Sequence, residues 1–124
     1  MKDHESEEMY LETILVLKNT RPAVRSIDIA EKLGYAKSSV SRGVNLLQDR
    51  GYITIGDDGF IEFTQKGAEK AGSIYDRHNV LTALFEELGA SEELAEINAC
   101  RIEHVLDDEM FELIKKRVQA PNKE

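Results

Sequence analysis

Three residues near the C-terminus, Cys100, Glu103 and His104, have side chains that bind transition metals. They are separated by three and four positions, and on a helix such residues project from one face. A thiolate, a carboxylate and an imidazole that converge in this way form a plausible half of a transition-metal site. Glu96 lies one turn earlier on the same face and could supply a second carboxylate.

Three more candidate ligands lie far upstream in the sequence. Met9 and Glu12 are three residues apart on the first predicted helix and would supply a thioether and a carboxylate. His78 lies in the middle of a long predicted helix, on its largely apolar side. Together with the C-terminal residues, these side chains predict a metal centre whose ligands come from both ends of the chain.

Each of these residues also has a structural interpretation. A lone cysteine commonly packs as a small buried hydrophobe, and a methionine on an apolar stripe commonly fills a core. His78 could be a hydrogen-bonded core histidine, and Glu103 with His104 could be a surface pair. Cys100 and His104 could act as a nucleophile and its base. However, the pair lacks an orienting third group and an evident oxyanion site, so the sequence favours a protein that is not an enzyme.

Hydrophobic spacing and turn residues predict a mainly α fold. The first half should contain three helices, followed by a hairpin whose turn is Gly56-Asp57-Asp58-Gly59. The second half should contain three more helices. Ser26, Thr64 and Ser91 are the predicted N-caps, and Gly34 is a predicted left-handed C-cap. The predicted helices are 8–19, 27–33, 38–50, 65–88, 91–106 and 107–118, and the predicted strands are 52–55 and 60–64. The third helix is predicted to bury Val40, Val44, Leu46 and Leu47.

The order helix, helix, tight turn, helix, hairpin is typical of a winged helix-turn-helix. In that arrangement the third helix enters the major groove of DNA, and its N-terminal residues reach the bases and phosphates. The predicted DNA contacts on this helix are Lys37, Ser38, Ser39, Ser41 and Arg42, and those at the start of the second helix are Arg25 and Ser26. The acidic hairpin tip weakens the case for a wing that touches phosphate, and the same pattern also occurs in modules that bind protein.

Charge is distributed unevenly along the chain, whose formal net charge is -8. Residues 20–55 carry six basic and three acidic residues, whereas residues 84–124 carry eleven acidic and five basic ones. The distribution matters more than the sum, because a locally basic half can face phosphates. The acidic half offers the oxygen donors that divalent cations need, although a solvated acidic surface would give the same composition.

The sequence also predicts a compartment. No run of about 18 apolar residues is present, so no membrane span is expected. Residues 1–8 are polar and lack the apolar core of a secretory signal. Cys100 is the single cysteine, which excludes an internal disulfide framework. These features indicate a reducing, cytoplasmic environment.

Several segments, in this order, resemble the diphtheria toxin repressor family of iron- and manganese-dependent repressors. The resemblance runs from about residue 7 to residue 118, and the Cys-Arg-x-Glu-His pattern is its most specific element. The segments that carry it are 8–14 (EMYLETI), 36–41 (AKSSVS), 63–67 (FTQKG), 77–78 (RH) and 99–104 (ACRIEH).

The resemblance implies a winged helix-turn-helix DNA-binding domain at residues 1–72 and a helical dimerisation and metal-binding domain at residues 73–124. Met9, Cys100, Glu103 and His104 match the main regulatory site of the iron-type members, and His78 matches an ancillary ligand. Thr82 and Glu96 depart from that type, because they stand where a carboxylate and a histidine are expected. Glu12 matches a carboxylate ligand of the manganese-type members. The SH3-like third domain of the iron type is not part of this sequence.

The function implied is a homodimeric repressor that binds a palindromic DNA operator when Fe(II) or Mn(II) is present. Thioether and thiolate donors favour iron over manganese, and Co(II), Ni(II) or Zn(II) are expected to bind in vitro. The alternatives are a winged-helix regulator that senses an organic ligand or the oxidation of Cys100, and an interaction module that does not bind DNA.

Overall fold

The computed structural model describes residues 3–119 and divides into two compact units, Met1–Gly72 and Ser73–Glu124. We call these the N-terminal unit and the C-terminal unit. The described residues form six helices and two strands, which confirms the predicted mainly α fold with a small hairpin. The elements are α1 Asp3–Thr20, α2 Ser26–Leu33, α3 Lys37–Asp49, β1 Ile53–Ile55, β2 Ile61–Phe63, α4 Gln65–Glu87, α5 Glu92–Ile102 and α6 Asp108–Gln119.

The N-terminal unit is built on the mutual packing of α1, α2 and α3. Each helix contributes one apolar face to the core, as helical spacing requires. Gly34 ends α2 with a left-handed backbone (φ 72°), as predicted, and so allows the tight turn into α3. The buried core residues of these helices include Leu11, Ile14, Leu17, Ile29, Val40, Val44 and Leu47.

The predicted hairpin is present as an antiparallel pair in which Ile53 faces Phe63 and Ile55 faces Ile61. Its turn is closed by Asp58, whose carboxylate accepts a hydrogen bond from the Phe60 N–H at 3.0 Å. The acidic tip is therefore explained partly by turn formation. The hairpin is also attached to the segment before α2, because the Ile61 N–H donates to the Val24 carbonyl at 2.8 Å.

Two glycines allow elements of the N-terminal unit to approach closely. A Cβ at Gly43 on α3 would lie 2.2 Å from a ring carbon of Tyr10 on α1. A Cβ at Gly67 on α4 would lie 1.8 Å from the carbonyl oxygen of Tyr52. That carbonyl also accepts from the backbone and the hydroxyl of Thr64, the predicted N-cap of α4. The Thr64 hydroxyl in turn accepts from the Gly67 N–H, so the cap is confirmed.

The C-terminal unit consists of the greater part of α4 with α5 and α6. Ser91 caps α5 by accepting a hydrogen bond from the Leu94 N–H at 3.1 Å, as predicted. Its buried apolar residues are few and include Ile74, Leu81, Ala95, Ala99 and Phe111. Its exposed large apolar residues are Leu88, Leu94, Ile97, Val105, Met110 and Leu113.

Four details differ from the sequence predictions. The first helix begins at Asp3, five residues before its predicted start. The N-cap of α2 is Arg25, and Ser26 is the first helical residue. Leu46, expected in the core, is 41% exposed, because its neighbour Leu47 takes the inward position. The helix α5 ends at Ile102, so Glu103 and His104 lie in the turn that follows it. Among the described residues, no helix is long and apolar enough to cross a membrane.

Candidate metal centre and nucleic-acid interface

Glu103 is the hub of a polar cluster in the C-terminal unit. Its side chain is 1% exposed, although it carries a carboxylate. One oxygen, Oε1, lies 2.8 Å from Nδ1 of His78, and the other, Oε2, lies 3.2 Å from Nε2 of His104. A buried carboxylate needs such partners, since burying a charge alone is very costly. Two imidazole side chains therefore contact the same buried carboxylate.

His78 is oriented by Glu103 in a way that suits metal binding. An ionised carboxylate can only accept hydrogen bonds, so the contact at Nδ1 favours the tautomer with its proton on that nitrogen. Nε2 then keeps its lone pair, and it lies 3.6 Å from Oε2 of Glu96. Carboxylates commonly orient the histidine ligands of metal sites through the second ring nitrogen.

The turn that carries Glu103 and His104 is held by Arg77 of α4. Nη1 of Arg77 donates to the carbonyl oxygens of Glu103, at 3.0 Å, and of Leu106, at 2.7 Å. Nη2 forms an ion pair with Asp108 at the start of α6, and the guanidinium lies 5.1 Å from the ring centre of Phe111. A side chain from α4 thus fixes the backbone between α5 and α6.

The structure brings four of the seven predicted metal ligands together: His78, Glu96, Glu103 and His104. Glu96 differs from Glu103 because its side chain is largely exposed. Cys100 lies on the last turn of α5, and its side chain is exposed. The interpretation of Cys100 as a buried hydrophobe is therefore wrong.

Met9 and Glu12, the other two predicted ligands, lie on α1 in the N-terminal unit, and both are half-buried. The thioether sulfur of Met9 accepts a hydrogen bond from the hydroxyl of Tyr35 at 3.7 Å. The Met9 carbonyl accepts from the hydroxyl of Thr13 at 2.8 Å. Their assignment as ligands stays a prediction.

The donor set of the cluster fits a divalent transition metal. Imidazole nitrogen and carboxylate oxygen are ligands for iron and manganese, and a thiolate would add preference for softer ions. The two acidic side chains would supply charge to balance the cation. The chemistry of these residues is thus consistent with the predicted metal centre.

The predicted recognition helix α3 separates an apolar from a polar face. Val40, Val44 and Leu47 are buried, and the opposite face is solvent-accessible. All five residues predicted to touch DNA from this helix are exposed, namely Lys37, Ser38, Ser39, Ser41 and Arg42. Short hydroxyl side chains beside two cations can approach phosphates and base edges closely. The face has the chemistry that a DNA-binding helix needs.

Arg25 and Ser26, the remaining predicted DNA contacts, lie where α2 begins. The Arg25 guanidinium is 4.4 Å from the ring centre of Phe60 in the hairpin, so it makes a cation–π contact. The backbone N–H of Arg25 donates to the Asp28 carboxylate at 2.8 Å. Arg25 is exposed and Ser26 is half-buried. Arg25 therefore has a structural role in joining α2 to the hairpin, in addition to its predicted role.

Arg77 was not among the predicted site residues. The signals in the sequence were its position directly before His78 and the place of this Arg-His pair among the segments that carry the family resemblance. Its partners are 26 to 31 residues away along the chain, so local patterning does not reveal them.

Family models match almost the whole chain. The model described as "Iron dependent repressor, N-terminal DNA binding domain" matches residues 4–59. The model described as "Iron dependent repressor, metal binding and dimerisation domain" matches residues 64–124.

Individual proteins are also similar to this chain. An uncharacterized HTH-type transcriptional regulator of Methanocaldococcus jannaschii is 35% identical over 114 residues, which cover 90% of each chain. The diphtheria toxin repressor of Corynebacterium diphtheriae is 30% identical over 112 residues, or 89% of this chain and 50% of that protein. The chain thus spans about half the length of that repressor. A solved manganese-dependent transcriptional repressor in complex with manganese superposes with a TM-score of 0.83 at 23% identity, covering 91% of this chain and 52% of the other.

Proposed function

The chain belongs to the iron-dependent repressor family of metal-responsive DNA-binding repressors, and we propose that it is a homodimer that binds a palindromic operator when Fe(II) or Mn(II) occupies its metal centre. Family membership confirms the resemblance and the winged helix-turn-helix fold inferred from the sequence. Such a protein acts where its operator is, so we propose a cytoplasmic location.

One observation carries the proposed metal response: His78 and His104 both contact the buried carboxylate of Glu103. A carboxylate shielded from water between two imidazoles is well suited to bind a cation, because water competes weakly there. A bound divalent cation supplies positive charge that offsets the acidic side chains gathered around it. We propose His78, Glu96, Cys100, Glu103 and His104 as ligands from the C-terminal unit.

Met9 and Glu12 are included in the proposal on the basis of the family resemblance and their donor chemistry. Both side chains would raise the number of ligands, and the thioether of Met9, as a softer donor, would shift the preference of the site from Mn(II) towards Fe(II). Co(II), Ni(II) and Zn(II) should also bind in vitro, so binding alone does not identify the physiological ion.

The proposed DNA contacts are the exposed residues of α3 together with Arg25 and Ser26. The serine hydroxyls and cations at the start of α3 would approach the major groove, as in other winged helix-turn-helix proteins. In a homodimer the two copies of α3 are related by a two-fold axis, which is the reason for expecting a palindromic operator.

Self-association of the C-terminal unit is supported by its exposed apolar residues. Leu88 and Leu94, with Phe85 and Asn98, line a groove of about 410 Å³. Leu88 is 77% exposed and Leu94 54% exposed, and exposed apolar residues that lie together in this way are typical of a surface that another chain covers.

The test is DNA binding by the full chain under anaerobic conditions with buffered metal. Fragments should be selected from a random DNA pool with Fe(II) or Mn(II) present and then measured in a gel shift. We expect binding that a chelator abolishes and that added metal restores. Cys100→Ala should weaken the response to metal while the fold is kept.

Arg42→Ala tests the DNA-binding surface, with Lys116→Ala on α6 as a control of equal charge. We expect the Arg42 variant to bind DNA about tenfold more weakly. The slope of log affinity against log salt concentration should fall by about one, which corresponds to the loss of one phosphate contact. Operator binding that ignores the chelator but responds to peroxide would instead favour oxidation of Cys100 as the signal. Failure to select any DNA, with or without metal, would favour an interaction module.

A further inference from the structure

Arg77 and His78 are consecutive residues of α4, and both hold Glu103. His78 contacts the Glu103 carboxylate at 2.8 Å, and Arg77 donates to the Glu103 backbone carbonyl at 3.0 Å. Glu103 is therefore held at its side chain by His78 and at its backbone by Arg77, two consecutive residues of α4.

The segment held in this way begins where α5 ends. Glu103 is the C-cap of that helix, and its N–H still donates to the Ala99 carbonyl at 3.0 Å. α5 ends at Ile102, and residues 103–107 form the connection to α6. Two of the proposed ligands, Glu103 and His104, lie in this connection, beyond the last residue of α5. Ligands at the end of a helix depend on neighbouring contacts to fix their position, because small displacements weaken metal binding.

Arg77 supplies that support at three points of the connection. It donates to the carbonyl of Glu103 at the beginning and to the carbonyl of Leu106 near the end. It also pairs with Asp108, where α6 starts. Its planar guanidinium can satisfy all three acceptors at once, which a lysine ammonium on a flexible stem does less well.

We propose that Arg77 is a positioning residue for the metal centre, which sets the backbone from which Glu103 and His104 bind the ion. This inference rests on the proposed function, because Arg77 can position metal ligands only if the protein binds a metal ion. Arg77 itself does not bind the ion, since a guanidinium stays protonated and has no lone pair to offer.

The nearby ion pair between Lys115 and Asp76 provides a matched control. Lys115 Nζ lies 2.8 Å from Asp76 Oδ2, and it links α6 to the residue directly before Arg77. Within the described part of the chain, neither Lys115 nor Asp76 forms a hydrogen bond with the connection between α5 and α6. Asp76→Asn thus removes a charged contact between α4 and α6 and leaves the support of Glu103 in place.

The experiment is a Co(II) titration of the full chain, followed by its ligand-field absorption, with thermal unfolding of the metal-free protein measured in parallel. We expect Arg77→Met to bind Co(II) about 10- to 100-fold more weakly than the wild type, the usual effect of losing an outer support of a metal site. Its ligand-field spectrum should also change. Arg77→Lys should recover part of the affinity, and Asp76→Asn should leave affinity and spectrum unchanged.

The outcomes separate this inference from the proposed function. If the wild type does not bind Co(II), the proposed metal response is wrong and the role of Arg77 falls with it. If the wild type binds and Arg77→Met binds equally well with the same spectrum, only the positioning role is wrong. If Arg77→Met and Asp76→Asn lose Co(II) affinity to the same extent, the loss is a general structural effect and the positioning role is wrong. If Arg77→Met does not fold, the comparison of Arg77→Lys with Asp76→Asn decides by the same criteria.

Discussion

The two units of the molecule differ in how a buried carboxylate is balanced and in how many large apolar side chains are exposed. The N-terminal unit buries aliphatic side chains such as Ile14 and Val40, and its buried carboxylate, Glu7, forms an ion pair with Arg50 at 3.1 Å. The C-terminal unit buries the carboxylate of Glu103 and exposes Leu88 and Leu94. The first pattern is that of an ordinary folded domain, whereas the second is costly for an isolated chain in water.

The difference indicates how each unit gains its stability. The N-terminal unit closes its core with its own residues. The C-terminal unit has a charge inside that a cation would balance and apolar side chains outside that a second chain would cover. Ligands that bind only the folded state stabilise it, so metal and partner should both raise the stability of the C-terminal unit.

The largest expected effect concerns the buried carboxylate. Glu103→Gln should reduce metal affinity on the order of 100-fold or more, because the amide keeps the shape but loses the charge between His78 and His104. Glu96→Gln, at an exposed carboxylate, should cost less than about tenfold. Metal affinity is measured by competition with a chelator of known affinity. Equal losses in the two variants would mean that burial of Glu103 has no bearing on metal binding.

A smaller effect is expected from packing in the N-terminal unit. Gly67→Ala places a Cβ against the Tyr52 carbonyl and should lower the free energy of unfolding by about 1–3 kcal/mol. Gly72→Ala on the same helix meets nothing within 4 Å and should raise it by about 0.5–1 kcal/mol. Urea denaturation of both variants checks the opposite signs. A Gly67 variant as stable as the Gly72 variant would contradict the close approach of α4 to Tyr52.

Exposed leucines of the two units should differ in their effect on assembly. Leu94→Lys in the C-terminal unit should weaken the dimer about tenfold or more, since it places a charge on an apolar contact surface. Leu46→Lys, at a comparably exposed position of the N-terminal unit, should leave the dimer unchanged. Sedimentation equilibrium measures both. If the two substitutions act alike, the exposed leucines of the C-terminal unit do not mark the dimer contact.

The smallest effect concerns pH. Burial raises the pKa of Tyr10 above its ordinary value of 10.0; Tyr35 adds to this shift, and Arg42 opposes it. The unfolded chain therefore loses this proton at lower pH than the folded one, so stability is fully present below pH 10 and declines above it. Tyr10→Phe should flatten the decline when unfolding is measured from pH 8 to pH 11. An unchanged slope would show that Tyr10 does not contribute to it.

Local sequence signals predicted most of the fold. Thr64 and Ser91 cap the helices that they were expected to cap, and Gly34 adopts the left-handed backbone that ends α2. Such signals act within a few residues, so they can be read from the sequence. The candidate ligands were predicted in the same way from side-chain type and spacing.

The remaining features depend on contacts between distant residues. α5 was predicted to continue to Leu106, but Arg77 binds the carbonyls of Glu103 and Leu106 in the connection that follows Ile102. Arg25 becomes the N-cap of α2 while its guanidinium stacks on Phe60, a residue of the hairpin. The contact between His78 and Glu103 likewise joins α4 to the turn after α5, so periodicity within one helix could not show it.

The central claim is that metal binding and operator binding favour each other, and one pair of titrations tests it directly. Metal affinity of the wild type is measured with and without saturating operator DNA, and DNA affinity is measured with and without saturating Mn(II) or Fe(II). Linkage requires both affinities to rise by the same factor. We expect a factor of about 5 to 150, the usual range of coupling between two sites. Metal affinity that is identical in the presence and absence of DNA would contradict the account.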